Sequence, residues 1–281
     1  MLTINVDPVA FTIGSLTVRW YGIVVGAAVI TMLLITSREA KRLGVTSDVY
    51  SIFLWGILGG YVGGRLAYVV YDWEYFVANP LQVIGFAGLG QNGMIVGVIV
   101  AALIYMWATK MRFSTLLSIG DAVAVGMPLA LAIGRIGCTL NGCCSGKLSP
   151  FQYFPGAVTY APRPPSTPPQ DWYLLPTQYT GVPIYPSQLY HLLWGLIVFA
   201  IVWRLRDSFR PEGCLAFFCF SLFAAGDFAI RFFRIGEPLL WGLHHAQVLD
   251  LGIVAVFLPW LIIRMRRFQH QPYSEPQTNS L

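Results

Sequence analysis

Residues 117–146 read LSIGDAVAVGMPLALAIGRIGCTLNGCCSG. The first two thirds form an apolar run of one bilayer's length, since a spanning helix needs roughly 20 mostly apolar residues to cross a hydrocarbon layer about 30 Å thick. The last third changes character. An arginine framed by glycines, one asparagine and three thiols stand where the apolar run gives way to a Pro-rich polar stretch. The apolar part decides the fold class, and the polar part poses the functional question.

Outward from this stretch the same signal repeats. Of the 281 residues 56% are hydrophobic and only 11% are charged, and the mean hydropathy is +0.62. Hydrocarbon offers the backbone no water, so such a chain crosses it as helices. Seven spans are expected, at about 17–37, 49–71, 92–110, 117–135, 187–204, 213–232 and 246–264. The third and fourth form a helical hairpin, because only Lys110 to Ser114 separates them. The fold class is therefore all-α integral membrane, with one domain over 1–268 and a polar tail at 269–281 expected to be disordered.

The net charge of +5 does not mark a nucleic-acid surface, because the basic residues fall in alternate loops. Arg38, Lys41 and Arg42 follow the first span, Lys110 and Arg112 the third, Arg204, Arg206 and Arg210 the fifth, and Arg264, Arg266 and Arg267 the seventh. Short Lys/Arg-rich loops stay cytoplasmic, which puts the N-terminus outside and the C-terminus inside. Segment 147–186, with its APRPPSTPP run, then reads as a small extracytoplasmic head. The first span lacks the charged start and small-residue site of a cleavable signal peptide. Neither a nucleotide-binding loop nor an H-E-x-x-H string occurs.

Ionisable groups in spanning helices are costly, so each is a functional candidate with mutual pairing as the alternative. Arg135 has glycines nearby on both sides, which lets a ligand approach its backbone. Arg231 and Arg234, three apart on one expected helix, would share a face and could join Arg135 on a phospholipid phosphate. Asp227, four before Arg231, is placed for an intrahelical ion pair. Arg65 follows GGYVGG, whose Gly59, Gly60, Gly63 and Gly64 read as helix-packing positions.

Three readings are open for Cys138, Cys143 and Cys144: a disulfide on the oxidising side, a catalytic or redox thiol activated by Arg135, or a metal site. For the last the spacing C-x4-C-C lacks a fourth ligand, which only His244 or His245 could supply, so no metal or cofactor is expected. Cys214 and Cys219 read as inert core thiols. His191 reads as a satisfied polar contact, with a replacement base as the sharper alternative.

The strings RWYGI (19–23), GGRLAYVVY (63–71), GRIGCTLNGCCSG (134–146), YPSQLYH (185–191) and RFFRIGEP (231–238) resemble, in order and spacing, the prolipoprotein diacylglyceryl transferase family. The resemblance runs along nearly the whole chain. It implies seven helices with an extracytoplasmic head, in a bacterial cytoplasmic membrane. It also implies transfer of diacylglycerol from phosphatidylglycerol, or another phospholipid, to the lipobox cysteine of a prelipoprotein signal peptide, by a protein expected to be a monomer. Tyr21, Arg65, Asp121, Arg135, Asn141, Gly146, Pro186, Ser187, Gln188, Tyr190 and Arg234 match the family pattern.

Five positions depart from the pattern. Gln91 stands where the family has a histidine, and an amide has no useful basicity. Cys138 replaces an asparagine, Cys143 replaces a glutamate, and the Asp227–Arg231 pair carries the family's charges in reversed order. The expected catalytic group is thus Arg135, Tyr21, Cys138, Cys143 and Gln91. The expected substrate-binding group is Arg65, Asn141, Gly146, Ser187, Gln188, Arg231 and Arg234. The alternative is a repurposed paralogue that binds lipid or does thiol-redox chemistry without the transfer.

Overall fold

The computed structural model describes residues 2–14, 16–45, 49–83, 90–162, 179–236 and 238–269. Among the described residues six helices are long and apolar enough to cross a membrane. They are α1 (Trp20–Arg42), α2 (Val49–Tyr71), α5 (Phe113–Asn141), α6 (Ser187–Leu205), α7 (Cys214–Ile230, continued by a 3-10 turn over Arg231–Phe233) and α8 (His245–Gln269). Between them lie the short α3 (Trp73–Ala78) and α4 (Gln91–Thr109), whose apolar part Gly93–Thr109 is shorter than the other six. Leu34, Leu66, Val70, Val96 and Val256 are exposed on these helices. Such a belt would be a liability in water but costs nothing against lipid, so the chain is a multi-pass membrane protein.

The helix pairs follow from small residues. Gly59 and Gly63 of α2 meet Gly97 and Gly93 of α4 so closely that a Cβ on Gly97 would lie 2.0 Å from the Gly59 carbonyl oxygen, and one on Gly93 would lie 2.2 Å from that of Gly63. Two small-xxx-small stripes therefore face each other, and backbone-level contact replaces side-chain interdigitation. Helix α5 packs along α1 on one side and α6 on another. Ala124 and Val125 meet Val198 and Val202 of α6 and Leu215, Ala216 and Cys219 of α7 in the main apolar core.

Helices α4 and α5 follow one another through a tight turn but do not pack together as the expected hairpin: α4 lies along α2, and α5 along α1 and α6. Lys110 adopts a left-handed conformation (φ 52°), and Met111 N–H donates back to the Met106 carbonyl, which ends α4 abruptly. The basic ends gather together: Glu39 near the end of α1 binds Arg42 at 2.6 Å and Arg206 at 3.0 Å, and Arg42 also pairs with Asp207.

The all-helical expectation needs correction, because three two-stranded sheets are present among the described residues. β1 (Leu2–Ile4) pairs in parallel with β4 (Val158–Tyr160), β2 (Val9–Ile13) forms a hairpin with β3 (Leu16–Arg19), and β5 (Pro238–Leu240) pairs with β6 (Leu243–His244). The first long helix starts at Trp20, three residues later than expected, because the chain before it is consumed by the hairpin. α5 runs on past Arg135 to Asn141, so most of the thiol-bearing stretch is helical. Much of the expected head (163–178) and the tail beyond Gln269 lie outside the described residues.

Candidate active site

Helix α5 ends at a left-handed glycine. Gly142 (φ 70°) donates its N–H to Thr139, and Cys143 donates its own to Cys138 at 3.1 Å, a paired-bond cap that turns the chain sharply off the helix axis. Cys144 follows with φ 58°, a conformation rarely adopted by a side-chain-bearing residue. Cys138 lies on the last turn of α5 and the other two thiols on this reversal, so the three sulfur atoms converge within 4.8 Å of one another. All three are free thiols.

Two neighbouring segments clamp the thiol turn. From the start of α6, Ser187 Oγ donates to the Cys144 carbonyl at 2.8 Å and Gln188 Nε2 donates to the Cys143 carbonyl at 2.9 Å. Both side chains are buried, so they act on the turn's backbone. From the chain after α7, Phe233 and Ile235 exchange backbone bonds with Lys147 and Ser145 on either side of Gly146. A Cβ on Gly146 would lie 2.1 Å from the Tyr185 carbonyl oxygen, so only glycine fits between these walls.

Three groups, Tyr21, Arg135 and Arg234, act electrostatically on the thiols, and a fourth, Asn141, lies beside them in the chain. Tyr21 comes from α1, where its ring lies against Gly137 and it interacts electrostatically with the three thiols and Arg135. Asn141 is buried at the end of α5. The Arg135 guanidinium forms no hydrogen bond or ion pair with any described residue. Arg234 is extended (ψ 151°) and bridged to Gly146, and its Nε is buried with no hydrogen-bond partner among the described residues.

The charge on the turn is unevenly shared. Hydrogen bonds from Cys138 and Cys143, then the fields of Arg234 and Arg135, hold the Cys144 thiol well below its ordinary value. Hydrogen bonding to Cys138 and Cys144 pushes the Cys143 thiol up, and burial lowers Arg234.

The prolipoprotein diacylglyceryl transferase family model matches residues 8–263. The chain belongs to this family. Relatives named phosphatidylglycerol–prolipoprotein diacylglyceryl transferase include one from Dehalococcoides mccartyi (strain ATCC BAA-2266 / KCTC 15142 / 195), 34% identical over 95% of this chain and 97% of the relative. Another, from Clostridioides difficile (strain 630), is 33% identical over 89% of this chain and 94% of its own length. A third, from Bacillus cereus (strain G9842), is 28% identical over 96% and 97%.

In this member of the family the remaining sequence-predicted residues sit in other environments. Arg65 donates from Nε to the Val83 carbonyl at 2.8 Å and from a second nitrogen to Gln82, and its guanidinium stands 5.4 Å and 5.2 Å from the Tyr68 and Phe76 ring centroids. Gln91 opens α4, with the neighbouring Gly90 N–H bound to the Gly64 carbonyl at 2.8 Å; its side chain lies outside the described residues.

Arg231 and Arg234 do not share a helical face, contrary to expectation. α7 stops at Ile230, and Arg234 is drawn into extended pairing with the thiol turn. Arg231 stays behind, bound to Asp227 at 2.5 Å and 3.6 Å from Asp250 of α8.

His191 is the satisfied polar contact expected of it, but its partners, and those of a second residue, were not assigned from the sequence. It is buried with Nε2 2.7 Å from Asp227 and Nδ1 2.7 Å from the Ser187 carbonyl. It thus joins the Asp227–Arg231 pair to Ser187, the residue that grips Cys144. The second is Tyr160 of β4, whose hydroxyl receives a 3.3 Å bond from Gln188 and reaches the Thr139 carbonyl, also at 3.3 Å. Neither partnership leaves a signal in sequence spacing. His244 and His245 do not join the thiols: His244 packs on Gly236, and its N–H is capped by Gln247.

Proposed function

We propose that this chain moves the diacylglyceryl group of phosphatidylglycerol to the lipobox cysteine of a prelipoprotein. The observation that carries the reading is the pair of available cations beside the thiol turn: Arg135, which has no hydrogen bond or ion pair with any described residue, and Arg234, with its buried Nε unpartnered among them. Two neighbouring guanidinium groups, one with a buried Nε that has no partner among the described residues, suit a phosphate, whose oxygens accept their hydrogen bonds in parallel.

The reaction is a displacement at a glycerol carbon. The acceptor thiol loses its proton, its sulfur bonds to carbon, and the carbon–oxygen bond to phosphate breaks, with the electron pair leaving on glycerol phosphate. Arg135 and Arg234 bind the phosphate and stabilise the charge that grows there as the bond breaks. Tyr21 and Asn141 line the approach to the carbon, and Ser187, Gln188 and Gly146 set the turn against which the acceptor docks. Arg65 fixes the neighbouring end of α2, and Arg231 anchors the chain leading into Arg234.

Helix α4 serves as the seventh span. Its 19 residues reach roughly 28 Å at about 1.5 Å each, close to the hydrocarbon thickness. With the basic ends cytoplasmic, the thiol turn and the residues of 147–186 face outward from the bacterial cytoplasmic membrane, where secreted prelipoproteins arrive. The protein works as a monomer.

The test is transfer of labelled diacylglycerol from phosphatidylglycerol to a lipobox peptide by the purified protein, beside Arg135→Ala. Transfer by the wild type that collapses in the variant is expected. Undiminished transfer without Arg135 would remove the phosphate assignment, and a folded, lipid-binding wild type without transfer would favour a repurposed paralogue.

A further inference from the structure

The acceptor sulfur must lose a proton, yet Gln91 provides no base. The convergence of three sulfur atoms within 4.8 Å suggests another way to make a thiolate. We infer that Cys138, Cys143 and Cys144 hold a divalent ion of the zinc class through three thiolates, and that its fourth position receives the acceptor thiol. The inference rests on the proposed transfer and deepens it.

The geometry fits with little movement. Zinc–sulfur bonds of about 2.3 Å at tetrahedral angles place sulfur atoms about 3.8 Å apart, so the turn needs to contract by no more than about 1 Å. Three soft sulfur donors select zinc or copper(I) over magnesium or calcium. The spacing argument against a metal was the missing fourth ligand, and among the described residues no histidine or carboxylate joins the three sulfurs. A three-ligand site with an open position is the arrangement zinc adopts where it reacts.

The surroundings are built to hold such a site. Cys138 stands on a long helix, and the backbone carbonyls of Cys143 and Cys144 are gripped by Gln188 and Ser187, which fixes the ligands in the manner of an outer ligand shell. Three thiolates around a divalent ion leave one net negative charge. The fields of Arg135 and Arg234, which both act on Cys144, offset it.

The chemistry follows directly. On ligation the acceptor's sulfur–hydrogen bond breaks and its proton passes to water, because a thiol coordinated to zinc is deprotonated outright. The bound sulfur then forms the bond to the glycerol carbon while the carbon–oxygen bond breaks, and the phosphate oxygen keeps the electron pair. The thioether product carries no charge, binds the ion weakly and leaves. No oxidant or reductant is consumed.

The full-length protein, purified reduced in detergent, is given zinc ion, freed of excess and assayed for bound metal. About one equivalent per chain is expected, with at least a tenfold loss of retention in Cys138→Ser/Cys143→Ser. Cobalt(II) then replaces zinc as a probe of the wild type, which needs no variant to fold. Its sulfur-to-cobalt absorption should strengthen on adding a lipobox cysteine peptide and stay unchanged with the serine peptide.

Failure to retain zinc, whether thiol titration finds the sulfurs free or two of them joined in a disulfide, overturns the inference. So does a cobalt band indifferent to the cysteine peptide. Full transfer by metal-stripped protein overturns the inference and leaves the proposed function standing. Zinc retention and a cobalt response without any transfer support the metal site and sink that function.

Discussion

The two ends of α5 carry polar groups treated in opposite ways. Near its start, Asp121 is buried and satisfied: its carboxylate accepts the N–H of Gly213 at 2.6 Å and of Ala216 at 2.8 Å, so one helix caps the first turn of another. About 21 Å away along the same helix at about 1.5 Å per residue, Arg135 has no hydrogen bond or ion pair with any described residue. Both are single charges in an apolar helix, and both match the family pattern. Their partners separate them. A buried charge matched on all sides holds the fold, whereas one left for something outside the chain is available to a substrate.

The largest expected effect breaks the comparison at its open end. Arg135→Ala should lower transfer by about 10²–10³-fold, the range for removing one donor from a developing anion. It should leave thermal stability nearly unchanged, because no described residue loses a partner. The transfer assay and a melting curve in detergent check the two halves. A large loss of stability would mean that Arg135 is structural after all, and the contrast with Asp121 would vanish.

Asp121→Ala should do the reverse. Two buried N–H groups at the start of α7 would lose their acceptor, at a cost of about 1–3 kcal/mol. Unfolding in denaturant would measure the loss, while transfer per folded molecule stays close to wild type. A catalytic defect in protein that is fully folded would place Asp121 in the machinery and not in the scaffold.

Between these poles lies Gln188, a buried residue that touches the site without being open to it. Gln188→Ala removes the bond to the Cys143 carbonyl and the bond to Tyr160, so the thiol turn loosens. Transfer should fall roughly tenfold, about 1.4 kcal/mol of positioning, chiefly in kcat. A change confined to KM for the lipid would show that the amide meets substrate instead of the turn.

What was legible in the sequence divides along the same line. Gly59 and Gly63 announced close packing because helix contact at that distance depends on the spacing of small residues alone. The Asp227–Arg231 pair was equally legible, since a four-residue separation on a helix is a local fact. Partners far apart in sequence were not: His191 finds Asp227 across 36 positions, and no periodicity reports that.

The span was expected to end near Arg135, where the apolar run gives way to polar groups. The helix instead continues, packed against Tyr21 and Val24 of α1, to the left-handed cap at Gly142. The separation of Arg231 from Arg234 was hidden for a similar reason, because the bonds that pull residues 233–235 out of the helix go to Ser145 and Lys147. The convergence of three sulfurs likewise depends on a chain reversal that the thiols' spacing does not encode.

The smallest expected effect comes from the basic end of the bundle, where two carboxylates compete for the same arginines. Glu39 is 1% exposed and binds both Arg42 and Arg206, whereas Asp207 is 69% exposed and pairs with Arg42 from the solvent side. Water already stabilises the exposed carboxylate, and ions screen its attraction, so Asp207→Asn should change stability by about 0–1 kcal/mol and leave transfer intact. Glu39→Gln would strip the charge from a buried site holding two cations and should cost several times more. Denaturant midpoints of the two variants at low and high salt measure the difference. Equal losses would show that this end of the bundle is wetter than its packing implies, and would weaken the claim that its charges are matched for stability while those at the thiol turn are left for substrate.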